Sequence, residues 1–193
     1  TLSDVLGLSP GRSRFGEHKD ALAARWGSLL ATRKIDTHWH HRGWNLIEPG
    51  LDVDSMLGEL EKFNIEKTVL SSSESLNYDL RGGNAALARA LEGETTMTMY
   101  GYIVIDPTQP DASISELEKY ATHDRFIGFK TIQDLYGMRL DDEAYIPIFE
   151  AAGKYKLPLL AHIPGMLEAA ERFPEIQFIA AHATWERVRH MIA

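Results

Sequence analysis

Ile35-Asp36-Thr37-His38-Trp39-His40 is a short apolar entry that ends in two histidines one residue apart. In an extended strand residues i and i+2 share a face, so His38 and His40 aim two imidazoles at one point. That spacing suits a pair of metal ligands. Ile35 and Trp39 favour a pleated strand, and Gly43 ends the run. Asp36, two residues before His38, is expected on the same face, where its carboxylate would orient a ligating ring. The opposing reading of these six residues is an exposed polar strand end, and the rest of the chain decides between them.

Outward from this stretch the chain alternates short β-rich runs with amphipathic helical stretches. The runs cover 34–40, 66–71, 97–106, 126–132, 157–163 and 176–183. The helical stretches cover 53–63, 84–91, 114–122, 142–155 and 166–173, with Thr184 placed to cap a last one reaching His190. Arg81-Gly82-Gly83-Asn84 reads as a loop leading into a helix cap. Before the first run lie an irregular arm over 1–16 and a helical pattern over 17–30, with Leu22, Trp26, Leu29 and Leu30 on one side. Alternating βα units imply a parallel sheet, either doubly wound or a barrel. No glycine-rich phosphate loop follows any strand, which argues against a nucleotide-binding doubly wound sheet. The fold class expected is therefore α/β, a (β/α)8 TIM-barrel type with six βα units in this chain. Residues 1–32 form an N-terminal arm and helix, and residues 33–193 the barrel.

Active sites of such barrels lie at the C-terminal ends of the strands. Those ends hold His38 and His40, then Ser71-Ser72-Ser73, Asp106, Lys130, His162 and His182. Histidines on three strands and a lysine on a fourth favour the metal reading of His38 and His40. Asp106 precedes Pro107 and suits a turn. Ser71 to Ser73 have no histidine placed for a serine nucleophile, so lining a pocket or shaping a loop is the simpler role. His41 faces away from His40 and is expected to be structural or solvent exposed. His18, His123 and His190 fall in or beside helical stretches and take no function. Trp39, Trp44 and Tyr136 are available to wall a pocket for a ring.

The order Asp-Thr-His-Trp-His at 36–40, Gly-Phe-Lys at 128–130, the stretch 157–165 ending at His162 and Gly165, and the stretch 173–185 through His182 resembles the amidohydrolase superfamily. It resembles in particular the amidohydrolase-related branch of metal-dependent TIM-barrel hydrolases and decarboxylases, from about Ile35 to Trp185. The resemblance implies that His38, His40 and His162 are metal ligands. It implies that His182 either binds a second metal or acts on the substrate as the catalytic residue. Lys130 matches a position where some members carry a carboxylated lysine bridging two metals; a salt-bridge or substrate-carboxylate partner is the alternative. The family's eighth strand supplies an aspartate that this chain, ending at Ala193, does not match. The expectation is an incomplete barrel whose natural chain continues through two more units, or one whose open edges a second copy covers as a homo-oligomer.

Composition narrows the chemistry. The 193 residues are 44% hydrophobic and 25% charged, with a net charge of −8 and no dense basic run, so neither nucleic acid nor an anionic membrane is an expected partner. There is no cysteine, which leaves nitrogen and oxygen donors for any metal. Such donors suit zinc first, with manganese or iron as alternatives. The start lacks a basic head and a long apolar segment, and the expected location is the cytoplasm. The leading expectation is a metal-dependent hydrolase acting on an amide, lactone or ester of a small molecule through an activated water. The alternatives are nonoxidative decarboxylation of a small unsaturated or aromatic acid and a noncatalytic degenerate barrel.

Overall fold

The structure, a computed structural model, describes residues 26–28, 30–43 and 50–183. The expected arm, most of the first helical pattern, Trp44, His18, the Thr184 cap and His190 lie outside these residues. Six parallel strands pair strictly in chain order into one sheet, curled as a half-barrel. They are β1 (Lys34–His41), β2 (Ile65–Ser72), β3 (Met99–Val104), β4 (Phe126–Lys130), β5 (Leu159–Ala161) and β6 (Phe178–Ala180). The helices are α1 (Val53–Lys62), α2 (Ser73–Asn77), α3 (Leu80–Gly93), α4 (Pro110–Tyr120), α5 (Ile146–Gly153) and α6 (Met166–Arg172). No helix among the described residues is long and apolar enough to cross a membrane.

Several boundaries differ from the sequence reading, each for a local reason. The third strand starts at Met99, not 97. Met97 has a left-handed φ of 58°, and the Glu94 carboxylate takes the backbone N–H groups of Thr98 and Met99. The fifth starts two residues late because Pro158 has no N–H to give a ladder. It and the sixth end before their histidines, so His162 and His182 open loops. Arg81-Gly82-Gly83-Asn84 is not a loop. Asp79 caps the helix earlier by accepting from the Gly82 N–H at 2.9 Å, and Asn84 is buried within α3. The stretch 142–155 begins with a 3-10 turn at Glu143–Tyr145 and continues as α5.

The core lies between the sheet's outer face and the helices. Leu87 and Leu91 from α3, Leu117 from α4 and Phe149 from α5 are fully buried against Ile103, Phe129 and Leu159. Phe149 is its aromatic hub. Its ring stacks on Tyr145 at 5.2 Å and meets Phe173, Phe178 and Phe129 edge-on at 5.3, 5.9 and 6.3 Å. Inside the curl a smaller cluster of Val69, Tyr102, Leu160 and Ala181 forms a floor. Gly128 makes room for it, since a Cβ there would lie 2.8 Å from the Tyr102 ring. Tyr102 in turn donates its hydroxyl to the Thr37 carbonyl at 3.1 Å, tying the floor to β1 below the histidines.

Truncation at the hub leaves a large void that four rigid rings cannot fill. Phe149→Ala should lower stability by about 3–5 kcal/mol in urea denaturation. A loss under about 1 kcal/mol would mean that the neighbouring rings collapse into the space.

Candidate metal centre

β1 carries an extra residue in its middle. Asp36 pairs with Thr68 and Trp39 with Leu70, three steps on one strand against two on its neighbour. Such a bulge resets the side-chain alternation. Asp36 and Trp39 therefore both line a cleft against Leu60 and Phe63 of α1 and its C-cap, while His38 and His40 turn inward. The expectation that Asp36 shares the face of His38 is thus corrected. Its carboxylate accepts from the His38 backbone N–H at 3.0 Å and so shapes the strand. Trp39 belongs to the outer core and walls no site pocket.

The inward histidines meet partners from the other strand ends. The His38 ring lies 5.5 Å from that of His40 and 4.7 Å from that of His182, and His182 lies 5.3 Å from His162. Lys130, fully buried on the same face as Gly128, brings its amine to 2.7 Å from His38 Nε2. Ser71, paired with His40 in the ladder, lies 3.4 Å from His40 Nδ1. All five residues proposed from sequence are thus brought to one rim. His182 is exposed there, with a left-handed φ of 52°, a conformation histidine adopts more readily than most residues.

Burial sets the charge state. It lowers the His38 pKa to about 4 and the His40 pKa to about 3, with the Lys130 charge pushing both the same way. Both rings are neutral at pH 7, the form that ligates metals. Burial also lowers Lys130 to about 7, so a large share of its amine is uncharged near neutrality. The donor chemistry fits a divalent cation: neutral imidazoles, packed close. Among the described residues no three His, Asp or Glu side chains already stand at a spacing that would hold an ion. An ion bound through His38 Nε2 must displace the Lys130 amine.

Sequence reasoning missed two residues of this rim. Gln133 and Asp134 follow β4 in a 3-10 turn, Gln133–Tyr136, closed by Gly137 at φ 65°. Asp134 Oδ2 lies 2.5 Å from His162 Nδ1, and Gln133 hydrogen-bonds the His162 backbone. Nothing local in Gln-Asp-Leu-Tyr-Gly ties it to a histidine 28 residues later.

The other candidates resolve as follows. Asp106 is a turn former, accepting from Thr108 N–H at 2.8 Å, its hydroxyl at 2.7 Å and the Gln109 amide at 2.7 Å. Ser72 caps the short helix α2 through Ser75 N–H at 3.1 Å, and Ser71 to Ser73 are all buried. His41 is buried rather than solvent exposed, and burial drops its pKa to about 4. His123 accepts from the Arg125 N–H at 3.1 Å, on the opposite rim. Tyr136 is half-buried, and burial raises its hydroxyl pKa.

A parallel half-barrel with imidazoles and a buried lysine at its C-terminal rim defines a TIM-barrel enzyme class with a histidine-rich centre. The chain belongs to the amidohydrolase family: the family model described as Amidohydrolase matches residues 35–193. No curated protein sequence matches it. Solved structures share the fold. A 5-carboxyvanillate decarboxylase from Novosphingobium aromaticivorans, complexed with manganese and 4-hydroxy-3-methoxy-5-nitrobenzoic acid, is 20% identical with a TM-score of 0.54, covering 66% of this chain and 48% of that one. A second 5-carboxyvanillate decarboxylase, from Sphingomonas paucimobilis, is 17% identical with a TM-score of 0.63, covering 79% and 68%. A dihydroxybenzoic acid decarboxylase from Polaromonas sp. JS666, with manganese and 2-nitroresorcinol, is 16% identical with a TM-score of 0.61, covering 79% and 66%. The chain spans about half the length of the first of these.

Lys130 gives the centre a measurable pH dependence. A lysine whose folded pKa is depressed from 10.5 to about 7 binds fewer protons folded than unfolded between those values. Its burial therefore costs stability below about pH 7, and the cost fades as pH rises toward the unfolded value. Lys130→Met should stabilise the metal-free protein by a few kcal/mol, on the order of 3, at about pH 6.5. The gain should shrink by about pH 9.5 in denaturant melts. Equal gains at both pH values would place the amine in water.

Proposed function

We propose that the chain is the metal-binding part of a nonoxidative decarboxylase acting on a small aromatic or unsaturated carboxylic acid. In it His38, His40 and His162 hold a divalent ion, manganese or zinc, and His182 carries a proton. The observation that carries the reading is the convergence of four imidazoles, those of His38 and His40 held neutral by burial, beside a buried amine. Donors of this kind add no negative charge, so a bound cation keeps its positive potential for an anionic substrate. The decarboxylases of the same fold, with manganese in two of them, support this over the hydrolase first expected, and support manganese beside zinc. Hydrolysis of an amide, lactone or ester at the same centre is the second reading, favoured by the family to which the chain belongs. We also propose the barrel as one domain over 33–193.

When bound, the ion supplies Lewis acidity and a fixed positive charge. The protein's own groups do the rest. Lys130, partly charged near neutrality, is placed to pair with a substrate carboxylate or, once carboxylated on its amine, to bridge two ions. Loss of CO2 breaks a carbon–carbon bond and leaves its electron pair on the substrate carbon, which then takes a proton. His182, at the exposed side of the cluster and 4.7 Å from His38, is the group in reach of both solvent and centre.

Two tests follow from these roles. His38→Ala or His162→Ala should empty the protein of metal by elemental mass spectrometry and lower CO2 release from hydroxylated benzoic acids about 10³-fold or more, since a Lewis acid supplies several kcal/mol. Full turnover by metal-free protein would overturn the reading, and turnover confined to esters or lactones would select the hydrolase. His182→Asn tolerates the left-handed backbone but has no imidazole. It should keep its metal while turnover falls roughly 10²–10⁴-fold; metal loss in this variant would make His182 a ligand instead.

A further inference from the structure

We infer that Asp134 and Gln133 are positioning residues for His162: together they fix where the ring sits and which nitrogen it turns to the centre, and so set how tightly the centre takes a divalent cation. The inference rests on the proposed role of His162 as a ligand.

β5 is only three residues long, and its ladder with β6 ends at Ala161. His162, the next residue, needs other partners for its peptide groups. Gln133 supplies them from a fully buried position. Its Oε1 accepts from the His162 N–H at 3.2 Å, and its Nε2 donates to the His162 carbonyl at 2.8 Å and to that of Pro164 at 3.2 Å. One side-chain amide thus clamps the backbone on both sides of the His162 Cα and fixes the direction of its Cβ.

Ring rotation is the freedom that remains, and Asp134 removes it. Its Oδ2 lies 2.5 Å from His162 Nδ1. A carboxylate only accepts, so the ring proton belongs on Nδ1 and the lone pair on Nε2. A histidine held this way presents a defined nitrogen to a cation. The 3-10 turn puts both residues in place in succession, with Gly137 in the left-handed conformation closing it. A purely structural role would predict little else, because Asp134 is 54% exposed and an ion pair so wet adds little to stability.

The experiment uses the full chain stripped of metal. Wild type, Asp134→Ala, Asp134→Asn and His162→Ala are titrated with Mn²⁺ and Zn²⁺ against a chromophoric chelator, and histidine tautomers are read from two-bond proton–nitrogen correlations. Asp134→Ala should weaken cation binding about 10–100-fold with an unchanged unfolding midpoint. Asp134→Asn, whose amide oxygen still accepts from Nδ1, should recover most of that loss. His162 should carry its proton on Nδ1 in wild type and lose that preference in Asp134→Ala. Wild-type affinity in Asp134→Ala beside a His162→Ala that no longer binds would overturn this inference alone, as would a wild-type His162 protonated on Nε2. A His162→Ala that still binds cations overturns the ligand role on which it rests.

Discussion

Every strand of the sheet runs in the same direction and pairs with its neighbour in chain order. A parallel ladder of this kind forces each strand to deliver its last residues to one rim and each helix to carry the chain back. The two rims can then specialise. At the N-terminal rim Arg125 and Glu94 form a buried pair at 3.1 Å, and the guanidinium also donates to the Met99 and Leu91 carbonyls. There the ion pair and its carbonyl partners tie β3, β4 and α3 together. At the C-terminal rim burial and the nearby Lys130 amine keep the His38 and His40 rings neutral, the form in which imidazole binds metals.

Buried side-chain amides recur where ladders run out. Asn84 on α3 accepts from the Val104 N–H and donates to its carbonyl, both at 3.0 Å, at the end of β3. Gln133 treats His162 the same way beyond the end of β5. In each case one planar amide replaces a strand neighbour, because a buried peptide group without a partner costs more than a modest hydrogen bond returns. The short strands of the sheet are thus extended by a residue without a longer ladder.

The alternation of β-rich and helical stretches was legible because a parallel α/β sheet buries apolar runs between amphipathic helices. All six strands were visible, as was the convergence of His38, His40, Lys130, His162 and His182. What stayed hidden depended on partners far along the chain. Asn84 resembles a cap, yet Asp79 caps the helix and Asn84 serves β3. Asp134 gains meaning only from His162. The alternation rule that located the histidine pair also misplaced Asp36, since a bulge leaves no mark in a six-residue stretch. Trp39, between the two histidines, takes the outer face as plain alternation requires.

That bulge separates the two halves of β1. Asp36 before it and Trp39 after it both face the helix layer, while His38 and His40 face the rim. With one residue fewer between Asp36 and Trp39 the ladder would run two steps against two, and both would keep the outer face. The strand thus carries one residue more than its register requires, and losing it would turn no side chain beyond to the other side.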